Sequence, residues 1–482
     1  MNLAHTPVFD SLTERFCEFT SVWQSGDDPS SYMRSSMRKG RIKFDAIATR
    51  FPHAPSNAIV MWIADMDIPP EKAIISAVEH HIKNHYGYAS LSINQAVAKW
   101  LNKQNELAKC AIKADQVVDV ASVISAVDVA LNTYCKKGEK VMVLTPTYGP
   151  LRDVIALNDL EPLAVPYTPQ ACTAQSNALA HEAGPTKASV IQTHTTGSMY
   201  VDRSTPRPNT NDHNASNQNA SNQNTPPQRK AFGNDGVVDI DLNSLNPKAS
   251  AFVLCHPNNP DGALISTESQ RAIITFCERH NIILIVDEVH SEWGFINNTP
   301  ASVPLFGAQV RLANSACLIH LNSANKGFNL AGLPGASYAV ITDAVRRQAF
   351  ESTIQRKHLD AAAVSKVALI AAYERGGDWL EATRRAIGFN RELVSAFFHH
   401  YAIQTEYTLG AAGYFLWLNL HASARCDTDQ TCFTPAVSYK DCLRRGVIGS
   451  DGEQFGAPGY IRLNLAMHPA LIEQALNRIF FN

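Results

Sequence analysis

The sequence predicts a two-domain α/β protein: a large domain with a mostly parallel central sheet flanked by helices, and a smaller C-terminal α/β domain. Short apolar runs alternate with amphipathic helical patterns, as in a sheet with crossover helices. Polar residues of catalytic type fall just past the ends of those runs. The chain of 482 residues is long enough for two domains and a large core.

The runs Val141-Met-Val-Leu144, Ala251-Phe-Val-Leu254, Ile282-Ile-Leu-Ile-Val286 and Cys317-Leu-Ile-His-Leu321 read as strands buried on both faces. Between two of them, Thr267 and Gln270 stand in capping-box spacing at the start of a helix that carries Ile273, Ile274, Phe276 and Cys277 on one face. The segment Ala121-Ser122-Val123-Ile124 opens another helix running toward Lys136-Lys137-Gly138. After about residue 343 a long helical region, 346–400, precedes the strands Tyr414-Phe-Leu-Trp-Leu418 and Tyr460-Ile-Arg-Leu463. The expected organisation is an unassigned extension over 1–38, a small domain from 39–87 and 343–482, and a large domain over 88–342.

Residues 168–236 interrupt the large domain. From Arg203 to Gln228 the only apolar residues other than proline are Ala215 and Ala220, and an Asn-Ala-Ser-Asn-Gln unit repeats from Asn214 and from Asn219. Such a tract cannot bury enough apolar surface to fold alone and reads as a disordered surface insertion. Its two Asn-x-Ser matches arise from that composition.

Charge excludes some partners. Lys plus Arg number 42 against 44 Asp plus Glu, a net charge of −2, so nothing favours nucleic acid or an anionic membrane. Ten cysteines are scattered with no Cys-x-x-Cys pair and no clustered ligands, which argues against a zinc site or a disulfide framework. The start carries Asp10 and Glu14 rather than a basic, apolar leader, and no stretch of about 18 apolar residues follows. A cytoplasmic protein acting on a small polar molecule is expected, with no metal.

The chemistry lies at strand ends. Lys326, in Asn322-Ser323-Ala324-Asn325-Lys326-Gly327, comes thirty-nine residues after Asp287 and sixty-seven after Asn259. In open α/β sheets ligands bind where strands end, so these segments converge on one crevice. An amine, a carboxylate, an amide and a hydroxyl (Ser323) are the groups a pyridoxal phosphate site requires. Alone, each has a bland alternative: a surface lysine, an N-cap aspartate, an Asn-Pro turn.

Together these residues resemble fold type I, the aspartate-aminotransferase-like enzymes that use pyridoxal phosphate. The resemblance rests on Pro257-Asn258-Asn259-Pro260-Asp261-Gly262, Asp287-Glu288-Val289-His290, the Lys326 segment and Arg462-Leu463-Asn464. Met61-Trp62-Ile63-Ala64-Asp65-Met66-Asp67, Tyr86-Gly87-Tyr88 and His290 are similar to the MalY/PatB-type cystathionine β-lyase branch. Asn325, where serine is frequent, and Tyr86, where phenylalanine is common, depart from the branch without removing a required group.

The resemblance implies roles residue by residue. Lys326 binds the cofactor aldehyde and acts as base, Asp287 keeps the ring nitrogen protonated, and Tyr148 stacks on the ring and aids the leaving group. Asn259 donates to the ring hydroxyl oxygen, and Ser323 and the helix start at Ser122, Val123 and Ile124 serve the phosphate. Tyr88 reaches the phosphate from a neighbouring subunit, implying a homodimer with a shared site. Arg462 grips the substrate α-carboxylate, as an Arg inside an apolar strand suggests. For Asp65, a substrate contact, and His290, a cofactor contact, a structural hydrogen bond competes with the direct role. The implied reaction is carbon–sulfur β-elimination from cystathionine or a related cysteine derivative. The alternatives are an aminotransferase on the same scaffold and, further off, a regulator retaining the fold.

Overall fold

The computed structural model describes residues 40–85, 87–104, 111–167, 236–296, 298–301, 303–421, 424–426, 432–433 and 437–481. The expectations for the N-terminal extension, Tyr86 and nearly all of the 168–236 insertion lie outside them.

A seven-stranded sheet forms the centre of the large layer: β1 (Val117–Val120), β2 (Lys140–Thr145), β3 (Glu161–Pro166), β4 (Ala251–Cys255), β5 (Ile283–Asp287), β6 (Leu318–Ser323) and β7 (Ser337–Val340). Their spatial order is β3-β2-β4-β5-β6-β7-β1. β7 pairs antiparallel with β6 and β1, and the other pairs are parallel. Every residue of β4, β5 and β6 is buried, as runs of Val, Ile, Leu and Phe covered by helices on both faces require. One apolar layer gathers Val141, Val253, Ile285 and Ile319; the opposite layer gathers Met142, Phe252, Leu284 and Leu318. Each such side chain contributes roughly 1.5–3 kcal/mol on burial.

The helix expected near Thr267 spans Thr267–His280 and buries Ile273, Ile274 and Cys277. Its cap lies one residue earlier than the sequence suggested: Ser266 Oγ accepts from Ser269 N at 3.1 Å. Asn281, in the left-handed region at φ 54°, ends it. The helix opened by Ser122 runs Val123–Tyr134.

A second sheet comprises β8 (Tyr407–Thr408), β9 (Phe415–Asn419), β10 (Ser450–Asp451) and β11 (Tyr460–Asn464), antiparallel in the order β8-β9-β11-β10. Ile59–Val60 of the N-terminal segment pairs in parallel with Val447–Ile448. The long helical region divides into Ala344–Lys357, Ala363–Arg375 and Gly377–His400. The first of these, grouped by sequence with the C-terminal domain, buries Phe350 and Ile354 in the layer over the central sheet with Val120 and Leu131. It packs against the Val123–Tyr134 helix. No helix among the described residues is long and apolar enough to cross a membrane.

Candidate active site

Three strands of the central sheet deliver polar groups at their carboxyl ends. Asp287 is the last residue of β5, Asn259 lies four residues past β4, and Lys326 lies three past β6. The turn carrying Lys326 is held by Ser323, whose Oγ accepts from Asn325 N at 3.0 Å and donates to Ala336 O at 2.8 Å. That hydroxyl therefore holds the lysine turn, a role that the expected phosphate contact left out. Trp293 Nε1 steadies the same turn by donating to Lys326 O at 2.9 Å.

Lys326 Nζ donates to the carbonyl of Ala64 at 2.9 Å. Burial, then the nearby positive charge of Arg462, bring its pKa down to about 8, against smaller opposing effects of Asp65 and Asp287. About a tenth of such an amine is uncharged at pH 7, far more than of an ordinary lysine, and that fraction can act as nucleophile or base. Asp287 moves the other way: burial pushes its carboxyl up to about 7, although Val289 N donates to it at 3.1 Å. A buried carboxylate so raised fits a cation brought in by a ligand.

Arg462 occupies β11, opposite Trp417 of β9 and Ser450 of β10. It is buried; Nη1 donates to Asn259 Oδ1 at 2.6 Å, and Nη2 donates to Trp62 O at 3.1 Å and to Ser450 Oγ at 3.2 Å. Its guanidinium carbon lies 4.2 Å from the Phe415 ring centroid and 4.9 Å from that of Phe455. Nε is buried with no hydrogen-bond partner. No carboxylate neutralises this arginine by a direct ion pair among the described residues, and burial brings its pKa down to about 10. An anionic substrate supplies what such a group lacks.

His290 is buried between Tyr414 and Phe415, at ring-centroid distances of 6.0 and 5.4 Å. Burial, with Lys326 and Arg462 nearby, depresses its pKa to about 3, so the ring is neutral, and its Nδ1 is unpartnered. Tyr148 is half-buried beside the start of the helix Gly149–Leu157. Burial and then the charge of Asp287 raise its pKa, so the phenol stays protonated.

Ser122 caps the helix Val123–Tyr134 through Ser125 N at 3.0 Å. Val123 and Ile124 place the free N–H groups of that first turn at the sheet's carboxyl edge, where an anion is favoured. Of the two roles open to Asp65, the single chain displays the hydrogen-bonded one. Its carboxylate accepts from Arg41, with Nη2 at 2.8 Å and Nε at 3.2 Å. Tyr88 stands apart from the group within one chain: it is fully exposed on a groove of about 760 Å³ bordered by His80, His81, His85 and Arg375.

Several contributors carried no readable signal. Ser450 is an unremarked serine after a glycine, and the carbonyls of Trp62 and Ala64 belong to the backbone. Asn464 did carry one, a polar residue in an apolar strand; its Nδ2 donates to Ile63 O at 2.8 Å and Asp65 O at 3.0 Å. A buried cluster also joins two site loops. Asn258 Nδ2 donates to Pro146 O at 3.2 Å, to Tyr167 and to Asp261 Oδ1 at 2.9 Å, while Thr147 Oγ1 donates to Asn258 Oδ1 at 3.3 Å. Tyr167 OH donates to Asp261 Oδ2 at 2.9 Å. The cluster thus fixes the neighbours of both Tyr148 and Asn259.

Burial raises the pKa of Asp261, and its hydrogen bonds from Asn258 and Tyr167 oppose the rise. Tyr167→Phe removes one of those donors and is expected to cost about 1 kcal/mol. An acid whose folded pKa exceeds its unfolded one loses stability as pH climbs through that window. The variant lifts the folded pKa further, so its deficit should be larger at pH 7 than at pH 4. Urea midpoints at the two pH values measure this.

The donor set suits pyridoxal phosphate: an amine near pKa 8, a raised carboxyl lacking a strong cation, orphaned polar atoms on His290 and Arg462, and a capped helix start. Among the described residues, no group of three or more His, Cys, Asp or Glu could hold a metal ion.

Residues 66–193 and 232–479 match the family described as aminotransferase class I and II. Cystathionine beta-lyase PatB of Bacillus subtilis (strain 168) is 23% identical over 448 residues, covering 91% of this chain and 95% of PatB. Protein MalY of Escherichia coli (strain K12) is 22% identical over 451 residues, covering 90% and 93%. The structure of cystalysin from Treponema denticola, which contains pyridoxal 5'-phosphate, superposes with a TM-score of 0.69 at 18% identity, covering 95% of this chain and 97% of cystalysin.

Proposed function

The chain belongs to the class I and II aminotransferase family, and from that membership we propose that it is a pyridoxal phosphate-dependent carbon–sulfur β-lyase. It cleaves L-cystathionine or a related S-substituted cysteine to a thiol, pyruvate and ammonia. The observation that carries the reading is the enclosed Lys326 amine, brought down to about pKa 8 beside Arg462 and Asp287. Near full-length likeness to a cystathionine β-lyase supports the lyase over the aminotransferase.

Pyridoxal phosphate, when bound, supplies an aldehyde for the amines of Lys326 and substrate and a cationic ring that draws electrons from Cα. Asp287 holds the proton on the ring nitrogen. Asn259, whose Oδ1 already accepts from Arg462, keeps Nδ2 to donate to the ring hydroxyl oxygen. The first turn of Val123–Tyr134 offers backbone N–H groups to the phosphate. Neutral His290 fills the apolar wall beside Lys326 without adding a competing cation.

Arg462 orients the substrate through its α-carboxylate. Lys326 then takes the proton from Cα. The electrons of the Cα–H bond form a new Cα–Cβ double bond, and those of the Cβ–S bond leave with sulfur. Protonated Tyr148 supplies the proton that makes the departing group a thiol. One water then hydrolyses the remaining fragment to pyruvate and ammonia.

The enzyme works in the cytoplasm as a homodimer, with Tyr88 of one subunit serving the phosphate site of the other; its full exposure in the single chain supports that assignment. The test is to mix purified protein with L-cystathionine and assay thiol and pyruvate beside transamination with a keto acid. Equimolar thiol and pyruvate is the expected result. Keto-acid transamination without thiol release would replace the lyase by an aminotransferase.

A further inference from the structure

The run 62–66 is held along both sides. On one side, fully buried Lys43 places its ammonium 2.9 Å from Asp67 Oδ1 and donates to Asp65 O at 3.1 Å. Arg41 Nη2 lies 2.8 Å from Asp65 Oδ1 and 3.3 Å from Asp67 Oδ1, and donates to Met66 O at 2.8 Å. Trp62 Nε1 returns a bond to Lys43 O at 3.0 Å. On the other side, the carbonyls of 62–66 accept in turn from Arg462, Asn464, Lys326 and Asn329, at 3.1, 2.8, 2.9 and 3.1 Å for Trp62, Ile63, Ala64 and Met66.

Burying an ammonium completely is costly unless a fixed anion compensates it. Lys43 therefore commits Asp67, and with it the whole run, to one position. Two of the donors on the far side are the amine and the guanidinium that the proposed reaction uses. A carboxylate arriving at Arg462 shares Nη2 with Trp62 O, so the place of this run bears on substrate binding directly.

We propose that Lys43 and Arg41 are positioning residues which, through Asp67 and Asp65, set residues 62–66 against Lys326 and Arg462 and thereby define where the α-carboxylate of an amino-acid substrate sits. The proposal rests on the roles given to Lys326 and Arg462. It places the branch motif's two aspartates on the protein side of the run rather than on the substrate.

The test uses the full chain loaded with pyridoxal phosphate and 2-aminoisobutyrate, an amino acid with a carboxylate and amine but no α-proton. Its dissociation constant is read from the cofactor's absorbance. Lys43→Met should weaken binding about tenfold, and raise KM for L-cystathionine by a similar factor with kcat changed less than about twofold, the signature of lost uniform binding. Lys43→Arg should recover most of that loss. Unchanged binding in a folded Lys43→Met protein, or equal loss with no recovery in Lys43→Arg, overturns the proposal. If Lys43→Met does not fold, Asp67→Asn carries the same expectation, and unaltered binding there overturns it equally. Wild-type protein that fails to bind 2-aminoisobutyrate also overturns it. Wild-type protein that binds this probe yet leaves cystathionine intact instead removes the lyase reading and keeps the positioning one.

Discussion

Lys326→Ala should lower kcat/KM for thiol release by about 10⁴-fold, because one side chain serves both as the covalent anchor and as the base at Cα. Thiol and pyruvate assays measure it. Borohydride reduction followed by peptide mapping should label position 326 in the wild type and nothing there in the variant. The stability of the cofactor-free chain should move in the opposite sense. The folded pKa of about 8 lies below the ordinary lysine value of 10.5, so the charged form is disfavoured in the fold. That penalty is present in full below about pH 8 and fades as pH rises toward 10.5, where the unfolded chain also loses its proton. The alanine variant should therefore gain relative to wild type near pH 7 and lose that gain near pH 10.5, as thermal midpoints will register. A midpoint difference independent of pH would show that the amine is not held as described.

Arg462→Lys should lower kcat/KM by about 10²-fold, mostly through KM, although the formal charge is kept. The planar fork spans Asn259, Trp62 and Ser450 at once, between the rings of Phe415 and Phe455. An ammonium has no such geometry, and each hydrogen bond to a charged group is worth about 1.5–3 kcal/mol. A fall confined to kcat with KM unaltered would assign Arg462 to the chemical step instead of carboxylate binding.

What was legible in the chain follows from where its signals reside. β4, β5 and β6 announce themselves because a strand covered on both faces must be apolar throughout. β3 does not: Pro162 and Pro166 argue against a strand, yet an edge position tolerates both, and four of its six residues are exposed. Short β1 and β7 offer four residues each, too few to stand out from the helices beside them. The crevice was legible because Lys326, Asp287, Asn259 and Arg462 are rare polar residues at the ends of, or inside, apolar strands. The run 62–66 was legible as a motif but not as a contact surface, since its work is done by main-chain carbonyls that every residue possesses. Asp65 stays open in the sequence between a substrate contact and a structural hydrogen bond, because its partner, Arg41, sits twenty-four positions earlier in a stretch with no pattern of its own.

The polar cluster around Asp261 has an implication for β3 and β4. Tyr167 and Gly236 are the last described residues before and the first after 168–235, and both are pinned beside it, the first by its phenol and the second by Gly236 O accepting from Leu264 N at 3.0 Å. Substitutions within 168–235 should therefore leave β3 and β4 where they are, because the two posts are fastened by partners outside that stretch.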